Sequence, residues 1–312
     1  MSNDTTAQAR LEWLNWRKSG IGGSDMAAIM GESSFGKTIV DVWKDKTSRD
    51  VIETPDNQYM KMGRLLEPVV AQLYEERESV KLTKGYGIRS ATEPLLLGTP
   101  DYLAPTRGVE IKTASSIFAN QYGEEYTDQI PAGYLMQVHH YMTITKLTEW
   151  DVAVLIGGND FRVYRVKENP ALSLVMTQQA RSFWDRFVMP GVAPEITTSR
   201  EANLIYPNAQ RVTIEATPQI AWDWNRLCEL RDKIRQLETE EDATLAKIQA
   251  AMGVADSLAN IEGERLATWT NEYRKTVNVG ALRAELPEIA KRFERETKTR
   301  VFRLKRLSGD VS

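Results

Sequence analysis

Gly98-Thr99-Pro100-Asp101, followed by Val109-Glu110-Ile111-Lys112, is the stretch on which the fold turns. Ahead of it, Leu95-Leu96-Leu97 is an apolar run that ends in Gly and Pro, the pattern of a buried strand entering a turn. Side chains alternate along a strand, so Glu110 and Lys112 share a face while Ile111 points into the core. A turn at Pro105–Gly108 would fold the two segments into a hairpin and carry Asp101 to the Glu110–Lys112 pair. Two carboxylates and an ammonium then converge on one small volume. Such a set can hold Mg2+ through oxygen and leave positions open to water and a phosphate. Each piece alone has a plainer reading: Pro-Asp as an ordinary turn, and Glu-x-Lys as a solvated ion pair. The functional reading therefore needs support from elsewhere in the chain.

The 312 residues, 42% of them hydrophobic, suffice for one large core or two domains. The polar segment from Met1 to Arg10 does not read as a signal peptide, and no apolar run approaches a membrane span, so a cytoplasmic protein is expected. The single cysteine, Cys228, excludes a disulfide framework and a Cys-ligated zinc or iron–sulfur site within one chain. With a net charge of −3, contact with nucleic acid must come from local patches.

Upstream, Gln8–Lys18 has helical spacing and leads into the glycine-rich turn Ser19-Gly20-Ile21-Gly22-Gly23-Ser24-Asp25, which opens a short helix over Met26–Met30. Arg17 and the Ser24 hydroxyl at such a helix start suit a phosphate; the plain alternative is an ordinary Ser/Asp cap. Residues 57–79 form a helix with an apolar stripe of Met60, Leu65, Val69, Val70 and Leu73. Pro68 predicts a kink near Glu67 that could turn this carboxylate inward. Downstream of the hairpin, Ile130–Lys146 reads as a helix in which Gln137 and Tyr141 share a face. His139 and His140 are adjacent, splay apart, and suit a stacking or surface role. Strands at Glu149–Ile156 and Asp160–Val166 flank a Gly157-Gly158-Asn159 turn, and a helix from Pro170 to about Val188 follows.

The sequence between 191 and 217 is aperiodic, which divides the chain into domains at 1–200 and 210–312. In the second, Ile220, Trp224, Leu227, Ile234, Leu237, Leu245, Ile248 and Met252 recur at three- and four-residue steps up to Gly253. This is a long amphipathic helix or a helical hairpin. A small ββαβ tail is expected after it, with the last strand near Arg300–Leu304. Lys291–Arg306 carries eight basic residues against two acids, a surface suited to DNA, to a partner, or simply to solvent.

Taken in order, R-x6-S, G-R-x2-E-P, T-P-D, E-I-K and Q-x3-Y resemble the motifs of YqaJ-type viral recombinases, relatives of phage lambda exonuclease in the PD-(D/E)xK nuclease group. The resemblance covers roughly residues 10–190. It implies a restriction-endonuclease-like α/β fold, a mixed central sheet flanked by helices, here with a C-terminal helical/α+β extension. The implied activity is a Mg2+-dependent 5′→3′ exonuclease on double-stranded DNA ends, with Mn2+ as a substitute ion. It would generate 3′ overhangs for a single-strand annealing protein in phage-type recombination, from a homo-oligomer that is a trimer by resemblance. Carried over by motif, Asp101 and Glu110 are metal ligands with the Ile111 carbonyl as third, and Glu67 reaches a second metal or its water shell. Lys112 orients or deprotonates the attacking water, Gln137 positions that water or Lys112, and Tyr141 completes the helical motif. Arg17, Ser24 and Thr99 fall at the 5′-phosphate pocket, Thr99 standing where that family has serine. Two further readings remain: a nicking or structure-specific endonuclease of the same fold, and a non-catalytic end-binding or scaffold protein.

Overall fold

The computed structural model describes residues 2–34, 36–49 and 57–305. They fall into two compact units, one running to Tyr206 and the other starting at Pro207.

The first unit opens with helices α1 (Ser2–Lys18), α2 (Gly23–Ile29), α3 (Ile39–Thr47) and α4 (Gln58–Glu78). Short strands β1 (Thr83–Lys84), β2 (Ile88–Arg89), β3 (Leu97–Gly98) and β4 (Tyr102–Leu103) lead into β5 (Gly108–Ala114). Helix α5 (Ala132–Thr145) crosses over to β6 (Glu149–Ile156), which turns back into β7 (Asp160–Lys167). Helices α6 (Pro170–Phe183) and α7 (Ser199–Ile205) close the unit. The central sheet runs β1-β4-β5-β6-β7 and is mixed. Strand β4 pairs antiparallel with β5, with Tyr102 opposite Val109, so the hairpin forms as expected. Strand β6 lies parallel to β5, which requires the crossover that α5 provides. This is the expected mixed central sheet flanked by helices.

Both faces of the sheet are covered. One packs Val152, Val154 and Trp150 against α5, α2 and α6 through Val138, Met142, Met26 and Met176. The other packs Val109, Ile111, Ala153 and Val163 against Val70, Ala71 and Tyr74 of α4. Ile111 is therefore a core residue, as its position on the strand demands. The second face also holds a polar pin: the Tyr74 hydroxyl donates to buried Asp151 at 2.7 Å, and Arg165 clasps the same carboxylate at 2.9 and 2.8 Å.

Several local expectations are corrected. Helix α4 runs unbroken through Pro68. Its expected stripe is only partly right: Val70 is buried, but Met60, Leu65 and Val69 are exposed, because the sheet meets only the C-terminal half of the helix. Both histidines are buried rather than superficial; His140 Nε2 lies 2.8 Å from the Leu97 carbonyl oxygen. Strand β3 stops at Gly98, so the expected strand-to-turn passage leaves Thr99 and Asp101 in an irregular link.

In the second unit, α8 (Pro218–Met252) is one continuous helix of 35 residues, which decides between the single helix and the hairpin. A short hairpin, β8 (Ser257–Ala259) with β9 (Arg265–Thr268), and helices α9 (Val279–Glu285) and α10 (Pro287–Arg292) follow. The strand expected near Arg300–Leu304 does not form; residues 300–305 have no regular structure, and Arg306 of the basic cluster lies outside the described residues.

Candidate active site

The site is assembled where β4 ends short and β5 continues. Beyond Val109, β5 has no neighbour on the β4 side, so the backbone of Ile111 is free on that edge. A strand residue turns its N–H and C=O to the same side. The Ile111 N–H meets Asp101 Oδ2 at 2.9 Å, which places the Ile111 carbonyl on the Asp101 side as well. Asp101 is thus fixed by the backbone of the strand that carries Glu110.

Glu110 is buried, with its side chain on the α5 face. Its Oε1 accepts a hydrogen bond from Gln137 Nε2 at 2.7 Å and pairs with Lys112 Nζ. Gln137 Nε2 also stands 3.0 Å from the Tyr141 hydroxyl, and that hydroxyl is 3.4 Å from the Thr99 carbonyl. The second Glu110 oxygen, Oε2, is buried and has no hydrogen-bond partner among the described residues. An orphaned buried carboxylate oxygen is costly unless a cation or donor meets it. Burial, then the charge of Asp101, push the Glu110 carboxyl up to about 8 despite the pull of Lys112. Burial also raises Asp101. For Lys112 burial works downward, but Glu110 and Asp101 outweigh it and hold the ammonium above its ordinary value.

These features fit a hard divalent cation. The donors are all oxygen: Glu110 Oε2, the Asp101 carboxylate and the Ile111 carbonyl. Among the described residues no three His, Cys, Asp or Glu side chains stand together as a ready metal cage. The Glu67 carboxylate is tied to Lys84 on β1. Its charge is still felt by both Asp101 and Glu110. Mg2+ commonly uses one or two carboxylates and keeps several waters, so two carboxylates and a carbonyl suffice.

The glycine-rich turn packs directly on this centre. A Cβ on Gly23 would come within 2.9 Å of Gln137 Cγ and 3.3 Å of Tyr141 Cζ, so only glycine lets α2 approach α5 so closely. Ser24, the next residue, is exposed at this contact. Arg17 lies over the Trp13 ring, 4.8 Å from its centroid, and its charge reaches the Tyr141 hydroxyl. The turn is pinned by Asp25, 1% exposed, which accepts from the Gly22 N–H at 3.0 Å and pairs with Lys46 at 2.7 Å and Lys37 at 2.5 Å. Those two lysines hold its carboxyl far below the usual range, overcoming the opposing effect of burial. Lys46 also donates to the Arg17 carbonyl at 2.9 Å, joining the pin to the arginine.

Asp101, Glu110, Ile111, Lys112, Gln137, Tyr141 and Thr99 are therefore brought together, with Arg17 and Ser24 beside them and Glu67 at the rim. Sequence reasoning missed Tyr134, whose ring lies 5.0 Å from Lys112 Nζ, and Lys84, which occupies Glu67. Tyr134 precedes Gln137 by one helical step, a spacing that could have flagged it. Lys84 left no such signal.

This arrangement is a mixed α/β domain, and residues 12–148 match the family model for the YqaJ-like viral recombinase domain. Every residue singled out above for the site lies within that matched stretch. Over 310 residues the chain is 26% identical to the YqaJ protein of Bacillus subtilis (strain 168), covering 96% of this chain and 95% of that one. Among solved structures it is similar to an alkaline exonuclease, LHK-Exo, from Laribacter hongkongensis, at 16% identity and TM-score 0.44 over 58% of this chain and 93% of that one. A phage-related exonuclease from Haemophilus somnus 129PT is 14% identical, with TM-score 0.43 over 57% of this chain and 99% of that one. Among the described residues no helix is long and apolar enough to cross a membrane.

Proposed function

We propose that the chain is a Mg2+-dependent exonuclease that digests double-stranded DNA from its 5′ ends in phage-type recombination, leaving 3′ overhangs for an annealing protein. The observation that carries the reading is the orphaned Glu110 Oε2 beside Asp101, inside the region matched by the viral recombinase family. Asp101, Glu110 and the Ile111 carbonyl would hold the ion, with Glu67 available for a second ion or its water shell once released from Lys84. Bound there, Mg2+, or Mn2+ in its place, would polarise the scissile phosphate and lower the pKa of a nucleophilic water.

The chain's own groups supply the rest. Lys112, held protonated by two carboxylates, serves as a fixed positive charge and donor that orients water, and not as a base. Gln137 restrains Glu110 Oε1, so the other oxygen stays aimed at the ion. Tyr141, pushed well above its ordinary value chiefly by burial, remains a neutral phenol. Arg17, Ser24 and Thr99 offer a guanidinium and two hydroxyls to the terminal phosphate, which would make cleavage dependent on a 5′ end.

Linear duplexes labelled at one end or the other, with Mg2+ or EDTA, test this directly. The 5′-terminal nucleotide should be released first, only with Mg2+, and closed circles should survive. Cutting of closed circles would favour the endonuclease of the same fold. End binding without any degradation would leave a scaffold protein.

A further inference from the structure

Helix α8 is about 52 Å long at 1.5 Å per residue and carries an apolar face that the described residues leave largely open, with Trp224 and Leu227 half-buried. Ile234 is 53% exposed, Leu245 48% and Ile248 40%. Met252, at the end of the helix, is buried within the chain and lies outside the open face. Reading the face as a coiled-coil seam gives 220, 224, 227, 231, 234, 238, 241, 245 and 248, alternating steps of four and three. Apolar residues fill both ends of this seam: Ile220, Trp224 and Leu227 at one, Leu245 and Ile248 at the other. The centre is charged, with Arg231, Glu238 and Glu241 around Ile234. All three charged seam residues are exposed, and neither Arg231 nor Glu241 makes an ion pair among the described residues.

That distribution selects one occupant. Laid parallel and in register on a second copy, the seam would stack Arg231 on Arg231, Glu238 on Glu238 and Glu241 on Glu241. Laid antiparallel about Gln236, the same seam sets Trp224 against the partner's Ile248 and Leu227 against the partner's Leu245. The one cation then meets an anion: Arg231 faces the partner's Glu241, twice by symmetry. Ile234 faces the partner's Glu238, with Arg235 next to it on the same helix. A polar residue in a seam costs stability but fixes register and orientation, and here both charges of the pair find their complement only in the antiparallel arrangement.

We propose that α8 is a self-association element that joins two copies of this chain as an antiparallel helical pair centred on Gln236. The surface shares no residue with the candidate active site, and its partner is a second copy of the chain.

The sole cysteine provides the ruler. Cys228 lies eight residues from Gln236, so two copies of it would be about 25 Å apart in the antiparallel pair and about 10 Å apart in a parallel one. Spin labels on Cys228 of the full-length protein, read by pulsed electron paramagnetic resonance, should give an intermolecular distance near the longer value. Arg231→Glu or Glu241→Arg should each weaken self-association by about tenfold or more, measured by sedimentation. The double variant Arg231→Glu/Glu241→Arg should restore both the association and the distance. If labelling at Cys228 perturbs the joint, Cys228→Ser/Ala243→Cys moves the label to the outer face of the same helix. The proposal is overturned by a distance near 10 Å. It is equally overturned if wild type gives no intermolecular distance, meaning that α8 packs on its own chain or another partner, or if the double swap fails to restore association.

Discussion

Gln137 donates to Glu110 Oε1 at 2.7 Å, a bond that ties helix α5 to strand β5 and leaves the other carboxylate oxygen buried without a partner. Lys112 shares the same Oε1, so the two donors together fix which oxygen stays available.

Removing Lys112 should therefore separate chemistry from ion binding. Lys112→Ala takes away no oxygen ligand, so Mg2+ should still bind, while turnover falls by about 10²–10⁴-fold. Calorimetry alongside single-turnover cleavage checks both halves. Near-normal turnover in the variant would remove Lys112 from the mechanism.

Arg17 is assigned to the terminal phosphate. A charge-assisted hydrogen bond contributes roughly 1.5–3 kcal/mol, or about one to two powers of ten in rate. Duplexes with a 5′-phosphate should be digested faster than 5′-hydroxyl duplexes by that margin, and Arg17→Ala should erase the difference. If wild type treats both ends alike, Arg17 has no such role.

Asp25 holds the glycine turn against α5 through two lysines. Asp25→Asn takes from Lys46, whose side chain is fully buried, its nearer counter-charge and leaves only Asp45 at 3.3 Å. Breaking a buried pair in this way costs about 3–5 kcal/mol. Urea unfolding of Asp25→Asn should show that loss, and the double variant Asp25→Asn/Lys46→Met should recover part of it. Equal stability of the single variant and wild type would contradict the pin.

How much of this was legible in the sequence follows from the range of each interaction. The hairpin could be read because its acid, its turn and its Glu-x-Lys pair are local, and strand alternation puts Glu110 and Lys112 together. Gln137 and Tyr141 were legible for the same reason, as neighbours on one helical face. The Asp25–Lys37–Lys46 cluster was not, because it joins three separate segments whose individual residues look like ordinary surface charges. Helix α4 misled in a different way. Its apolar residues extend past the sheet they were expected to cover, and sequence spacing carries no record of where a partner surface ends.

His140 sets an acid limit on stability. Burial is the main cause that pushes its imidazole down to about 4 from an ordinary 6.5. The unfolded chain therefore binds a proton between those values that the folded chain refuses. Stability from this group is complete above pH 6.5 and is lost as pH falls through 4. By pH 4.5 the loss is on the order of 2–3 kcal/mol. His140→Gln should flatten that part of the pH profile in denaturant titrations at pH 7.5 and 4.5. An unchanged slope in the variant would show that other groups govern acid unfolding.

The central claim is that Asp101, Glu110 and the Ile111 carbonyl form a divalent-cation site, and the most direct measurement is anomalous diffraction from crystals soaked in Mn2+. The account predicts a single strong peak bonded by Glu110 Oε2, Asp101 and the Ile111 carbonyl, absent in Glu110→Ala. A protein that degrades duplex DNA in the same Mn2+ solution yet shows no peak at these three oxygens would contradict it.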